Sequence, residues 1–116
     1  MKIAFFSAKP YEIEYFSRIN KSFNHQIRYI DSNLTSQTAA LAIEHDAVCA
    51  FVNDTMDENC IKTLANLNIK IIALRSAGYN HVSLKECQKN NIKVCYVPDY
   101  SPYSVAEHTF ALLLTL

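Results

Sequence analysis

Glycine is nearly absent from these 116 residues; there is one, Gly78. Usage of about 7% would be average. A phosphate-cradling loop needs several glycines at set intervals, because the backbone must approach the phosphates without a Cβ in the way. Neither G-x-G-x-x-G nor G-x-x-x-x-G-K can be written here, so the chain does not handle a nucleotide alone. Net charge is also missing, since 11 Lys and Arg balance 11 Asp and Glu. That leaves no electrostatic footprint for nucleic acid or an anionic membrane. No apolar run approaches the ~18 residues of a membrane span. Ile3-Ala4-Phe5-Phe6 is too short for a signal-peptide core, and a cytoplasmic location is expected. The cysteines Cys49, Cys60, Cys87 and Cys95 form no C-x-x-C pair. They read as small buried thiols in a reducing compartment, not as a disulfide framework. His25, His45, His81 and His108 have no ligand-like spacing, so no metal site is expected.

What is present is core material. Half the residues are apolar and 19% are charged, enough for one domain with a core of its own. Strand-length apolar runs alternate with segments of helical period. Ile3–Phe6 is the first strand. Pro10 suits a first helical turn, and Ile13, Phe16, Ile19 and Phe23 follow at helix-face spacing. Gln26–Ile30 alternates like an edge strand. Thr35–Glu44 reads as an Ala-rich helix. Ala47–Val52 is apolar on both faces, as an interior parallel strand must be. Asp57 can cap the next helix, whose Ile61, Leu64 and Leu67 share a face. Ile69–Leu74 is another buried strand. Ser83-Leu-Lys-Glu86 has the form of a capping box. Ile92–Val97 is a fifth strand, stopped by Pro98, and a helix runs from Ser101 or Ser104 to the end. This alternation demands a parallel sheet with right-handed crossovers and helices on both faces. The expected fold is flavodoxin-like α/β, with strand order 2-1-3-4-5.

Ligands of such sheets bind beyond the carboxyl ends of the strands. Four segments fall there: Ser7 to Lys9, Phe51 to Asp54, Arg75 to Asn80, and Pro98 to Tyr100. The third holds the only glycine. Gly78 either lets the backbone approach an anion closely or merely permits a turn with positive φ. The last helix has no glycine, lysine or proline to end it. Ala106, Phe110, Ala111, Leu112, Leu113, Leu114 and Leu116 cover most of its circumference. A helix of this kind is expected to be buried on more than one side. The chain then reads as the front part of a longer protein, or the helix as a dimer seam. The isolated chain is expected to associate through this helix, to carry it disordered, or to swap it with a neighbour, with Phe110, Leu112 and Leu113 as the residues whose change to polar ones tests this.

Two stretches carry a resemblance. Ala73-Leu-Arg-Ser-Ala-Gly-Tyr-Asn-His-Val82 and Val97-Pro-Asp-Tyr-Ser-Pro-Tyr-Ser-Val-Ala-Glu-His108 resemble the N-terminal part of NAD-dependent D-isomer-specific 2-hydroxyacid dehydrogenases. Met1-Lys-Ile-Ala-Phe-Phe-Ser and Phe51-Val-Asn-Asp54 are most similar to the fermentative D-lactate dehydrogenases of that family. The resemblance spans essentially the whole chain. It implies a substrate-binding (catalytic) domain over 1–100 and, over 101–116, the start of an interdomain helix leading to an NAD-binding Rossmann domain. It implies that backbone N–H groups of Ala77 and Gly78 hold the carboxylate of pyruvate, that Tyr100 borders it, and that Phe51 closes over the methyl group. Arg75 is implied to be structural. The resemblance implies polar contacts between domains for Glu107 and His108, and Ser83 stands where many relatives have an aspartate at that helix start. The family's catalytic arginine, glutamate and histidine would lie beyond residue 116, so none is in this chain. The full-length protein would be a homodimer or larger homo-oligomer, and the chain alone would be inactive.

A rival comes from signalling. A phosphoacceptor receiver module has the same five βα units, and Asp54 stands where its acceptor would. It also needs acidic residues after strand one, a hydroxyl after strand four and a lysine after strand five. Ser7-Ala8-Lys9, Arg75-Ser76 and Pro98 stand there, so only the acceptor and one hydroxyl fit. A flavin-binding module would need a hydroxyl-rich loop after strand one, and Ser7-Ala-Lys-Pro10 offers a single hydroxyl.

Overall fold

The computed structural model describes residues 1–98 and 102–115. Five strands form one all-parallel sheet: β1 (Lys2–Phe5), β2 (Gln26–Tyr29), β3 (Ala47–Ala50), β4 (Ile71–Leu74) and β5 (Lys93–Cys95), in the order β2-β1-β3-β4-β5. Four helices alternate with them: α1 (Pro10–Asn20), α2 (Glu58–Asn66), α3 (Leu84–Lys89) and α4 (Pro102–Thr115). The expected order 2-1-3-4-5 is therefore observed. β1, β3 and β4 lie inside the sheet, and the buried runs Ala47–Ala50 and Ile71–Leu74 are apolar on both sides for that reason.

Alternation within each strand divides the core. Ile3, Phe5, Ala47, Cys49, Ile71 and Ala73 point to the face covered by α1 and α4. Ala4, Phe6, Val48, Ala50, Ile72 and Leu74 point to the face covered by α2 and α3. On the first face Phe5 and Phe16 meet edge-on at 4.7 Å, and Phe16 meets Phe110 at 5.3 Å. Edge-to-face pairs of this kind add about 0.5–1.5 kcal/mol beyond area burial.

The helix ends depend on asparagine. Asn24, Asn68 and Asn91 all have positive φ (59°, 63° and 56°). After α2, Ile69 N donates back to the Leu64 carbonyl at 3.0 Å; after α3, Ile92 N does so to Cys87 at 2.9 Å. These left-handed caps are normally built on glycine, with asparagine as the tolerated substitute. That is how a chain with one glycine stops α1, α2 and α3.

Three expectations need correction. Thr35–Glu44 is not a helix beyond a single 3-10 turn, Ala39–Ala42. The threonines compete for the backbone: Thr38 Oγ1 donates to the Asn33 carbonyl at 2.6 Å and accepts from Thr35 N at 2.8 Å. The Ser83–Glu86 capping box does not form. Ser83 N is engaged by the Met56 carbonyl at 2.9 Å, so Glu86 has no donor there and pairs with Lys89 at 3.1 Å instead. The Asp57 cap does form, accepting from Cys60 N at 2.9 Å. The third correction concerns α4, which the domain covers better than expected. Phe110 (1% exposed), in a trough made by Phe16, Phe23 and His25, and Leu113 (2%) both belong to its own core. Polar residues at these two positions would break the fold, so they cannot serve as contact residues. Ala111 is exposed and Leu112 half-buried. Among the described residues, no helix is long and apolar enough to cross a membrane.

All four cysteines are free and buried. Burial pushes the thiols of Cys49 and Cys87 up to about 11 and that of Cys60 to about 12; Cys95 is raised for the same reason. Only the thiolate reacts. Cys49, Cys60 and Cys87 should therefore alkylate with iodoacetamide at pH 8 at least ~100-fold more slowly in the native chain than in urea. Peptide mass spectrometry reads the rates, and fast native labelling at any of the three would contradict their placement.

Candidate functional site

The site is built where β1, β3 and β4 end. In the register Ala50 faces Leu74, so the first residues beyond each strand, Phe51 and Arg75, emerge side by side. Arg75 N donates to the Ala50 carbonyl at 2.9 Å. The Arg75 side chain turns inward, 1% exposed. Its Nε and Nη2 meet Glu12 at 2.9 and 3.2 Å, a bidentate pair. Nη1 donates to the Phe6 carbonyl at 3.1 Å and to Cys49 Sγ at 3.8 Å, and Nη2 to the Ser7 carbonyl at 3.2 Å. A guanidinium has five N–H groups, and each has a partner here. The Phe5 and Phe51 rings flank it, 4.1 and 5.2 Å from Cζ. Burial works against the charge, but Cys49 and Glu12 outweigh it and hold the pKa above the usual arginine value. Arg75 has no donor left for a ligand. Its work is to hold α1 and the end of β1 against the start of the 75–80 loop, which agrees with the structural role expected of it.

Beyond Arg75 the loop turns outward. Ala77, Gly78, Tyr79 and Asn80 are exposed. Ser76 Oγ donates to the Gly78 carbonyl at 2.8 Å, and the Ser76 carbonyl accepts from Val97 N at 3.0 Å. Among the described residues, nothing accepts from the amides of Ala77 or Gly78. Gly78 does not have positive φ, and a Cβ built there meets nothing within 4 Å. The turn reading of this glycine is thereby removed; the open backbone remains. The Tyr79 and Tyr96 rings, 5.1 Å apart, brace the loop against the end of β5. The pair was not apparent from the sequence, where the two residues stand in different segments.

Phe51 is half-buried and lines a crevice of ≈ 50 Å³ with Tyr11, Tyr15, Arg75 and Val105. Tyr100 lies outside the described residues. Glu107 is exposed and His108 half-buried on α4. Asp54 is 1% exposed and accepts from Ser7 Oγ, from Leu34 N at 2.8 Å and from Phe51 N at 2.7 Å. A phosphoacceptor must face solvent and a metal ion; this carboxylate faces three internal donors. The receiver reading is not favoured. The flavin reading weakens for a related reason, since the one hydroxyl of the β1 loop is engaged by Asp54. Among the described residues, no three His, Cys, Asp or Glu side chains gather where a metal ion could sit.

The comparison with known proteins decides the family. Residues 3–113 match the model of the D-isomer specific 2-hydroxyacid dehydrogenase, catalytic domain. The chain belongs to this family. It is 52% identical over 116 residues to 2-hydroxyacid dehydrogenase homolog 1 of Schizosaccharomyces pombe, covering 100% of this chain and 35% of that protein. The apo-structure of D-lactate dehydrogenase from Escherichia coli superposes with a TM-score of 0.85 at 39% identity, over 99% of this chain and 36% of the other. An NAD-complexed D-isomer specific 2-hydroxyacid dehydrogenase from Lactobacillus delbrueckii ssp. bulgaricus gives 0.78 at 30% identity, over 98% and 35%. The chain thus spans about a third of the length of the relatives it matches. The match to the dehydrogenase family's catalytic domain takes in all five strands of the sheet and the 75–80 loop.

Proposed function

We propose that this chain is the substrate-binding part of an NAD-dependent D-lactate dehydrogenase. The observation that carries the reading is the 75–80 loop, which stands on a fully engaged Arg75 and presents two open amides at Ala77 and Gly78. Fixed backbone donors suit a carboxylate, since they need no reorganisation when the anion arrives. Pyruvate would place its carboxylate on these amides and its methyl group toward Phe51, and Tyr100 would border the carboxylate.

The described residues do not fit a dinucleotide, because one glycine in one short loop cannot cradle a pyrophosphate. NAD would be held by a further domain, as would the arginine, glutamate and histidine that polarise the carbonyl and move the proton. When bound, NADH supplies the hydride. The share of this chain is to bind and orient the 2-oxo acid, which can be a large part of a barrier. Glu107 and His108 would make polar contacts across the domain junction. The full-length enzyme would be a cytoplasmic homodimer or larger homo-oligomer.

The test compares two proteins: the 116-residue chain alone, and the chain followed by its cofactor domain. NADH oxidation should depend on pyruvate in the second and be absent in the first. Turnover by the short chain would contradict the division of labour. A full-length protein that binds NADH but reduces no 2-oxo acid would defeat the reading altogether.

A further inference from the structure

Ser7 stands at the end of β1 with φ 53° and 3% exposure. A left-handed, non-glycine residue of this kind is strained and persists only where its surroundings hold it. Here every polar group of Ser7 is held. Its N donates to the Ser32 carbonyl at 3.0 Å, and its carbonyl accepts from Arg75 Nη2 at 3.2 Å. Its Oγ donates to Asp54 Oδ1 and lies 2.9 Å from the Asn33 side-chain amide. Asp54 in turn collects three donors. Leu34 N joins Ser7 on Oδ1, and Phe51 N occupies Oδ2 at 2.7 Å. Two acceptor oxygens are required for this, and an asparagine has only one. Phe51 is therefore held twice: its amide by Asp54, and its ring by the Arg75 guanidinium at 5.2 Å. Both routes pass through Ser7.

We propose that Ser7 and Asp54 form a clamp that positions Phe51 and thereby sets the length of 2-oxo acid side chain the enzyme accepts. The proposal rests on the reading of Phe51 as the wall beside the substrate methyl group. Neither clamp residue touches substrate; they are positioning residues. With the clamp intact, the ring stays over a methyl-sized space. Without it, the 51–54 turn can shift and a longer side chain enters at less cost.

The test uses the full-length enzyme. Ser7→Gly is the main variant, because glycine takes φ 53° freely while losing the CH2OH group that reaches Asp54. Asp54→Asn is the second. Each should speed hydrogen exchange at the Phe51 amide about tenfold, the effect of losing one buried charge-assisted hydrogen bond. Each should raise the ratio of kcat/KM for 2-oxohexanoate over pyruvate about tenfold, since a few methylenes are worth at least that much in a closed pocket. A merely structural role would lower both substrates together and leave the ratio where it was. In a Phe51→Ala background the clamp has nothing to position, so Ser7→Gly should then move the ratio less than about twofold. An unchanged ratio in Ser7→Gly overturns the proposal, as does an equal shift in the Phe51→Ala background. If the wild type reduces no 2-oxo acid, the functional reading falls instead, and exchange at Phe51 alone decides whether the clamp exists.

Discussion

Arg75→Met should cost about 3–5 kcal/mol of stability, the usual consequence of removing one partner from a buried ion pair. The change keeps most of the apolar stem and deletes the charge. Glu12 is left with an unpaired carboxylate at 8% exposure, and the Phe6 and Ser7 carbonyls lose their donors. The flanking Phe5 and Phe51 rings lose their cation as well. Urea unfolding of the chain, followed by far-UV circular dichroism, measures the loss. A companion variant separates the pair from its parts. Arg75→Met with Glu12→Leu removes both charges, and well-packed apolar replacements of a buried pair are often neutral. The double variant should therefore regain more than half of what the single one loses. A loss under about 1 kcal/mol for Arg75→Met would mean that the guanidinium is not where the structure places it.

The strands were legible because burial on both faces leaves a local mark. Ala47-Val-Cys-Ala50 and Ile71-Ile-Ala-Leu74 carry no polar residue, and only the inside of a parallel sheet tolerates that. With these two interior runs, three further strand-length segments and helical spacers, the order 2-1-3-4-5 followed. The segment 35–44 misled because alanine favours a helix on average. Thr35 and Thr38 instead turned their hydroxyls onto nearby backbone, and a composition count does not see which local bond wins. Helix α4 misled differently. Its apolar residues were visible, but Phe23 and His25, which complete its trough, come from the turn after α1.

The candidate site divides along the same line. That the 75–80 loop lies at the ligand end follows from one rule about parallel sheets. Which side chains hold it there does not. Arg75 and Glu12 are 63 residues apart, and Ser7 and Asp54 are 47 apart. Partners at such separations are chosen by the fold, and a single sequence does not print them. Asp54 shows the consequence. Its position after β3 makes it resemble an acceptor, and only its donors, the Ser7 hydroxyl and two backbone amides, show that it serves the chain's own fold.

Gly78→Val should raise the KM for pyruvate at least ~30-fold in the full-length enzyme while leaving NADH binding within about twofold. The argument begins with what the change does not do. Gly78 has no positive φ, so valine needs no left-handed backbone there. A Cβ at this position meets nothing within 4 Å, so no neighbour is displaced. Stability should hold within about 0.5 kcal/mol, since replacing glycine at a compatible φ restricts mainly the unfolded chain. The whole effect must then appear on the open side of the loop. There the amides of Ala77 and Gly78 have no internal acceptor among the described residues. Branched methyl groups over that surface would keep a carboxylate from hydrogen-bond distance. Loss of even one bond to a charged group is worth about 1.5–3 kcal/mol, and two are at stake. Gly78→Ala should fall between, because a single methyl leaves part of the approach open. Steady-state kinetics with pyruvate, together with NADH fluorescence titration, reads both quantities. An unchanged KM in a folded Gly78→Val enzyme would show that the carboxylate binds elsewhere and that these two amides face only water.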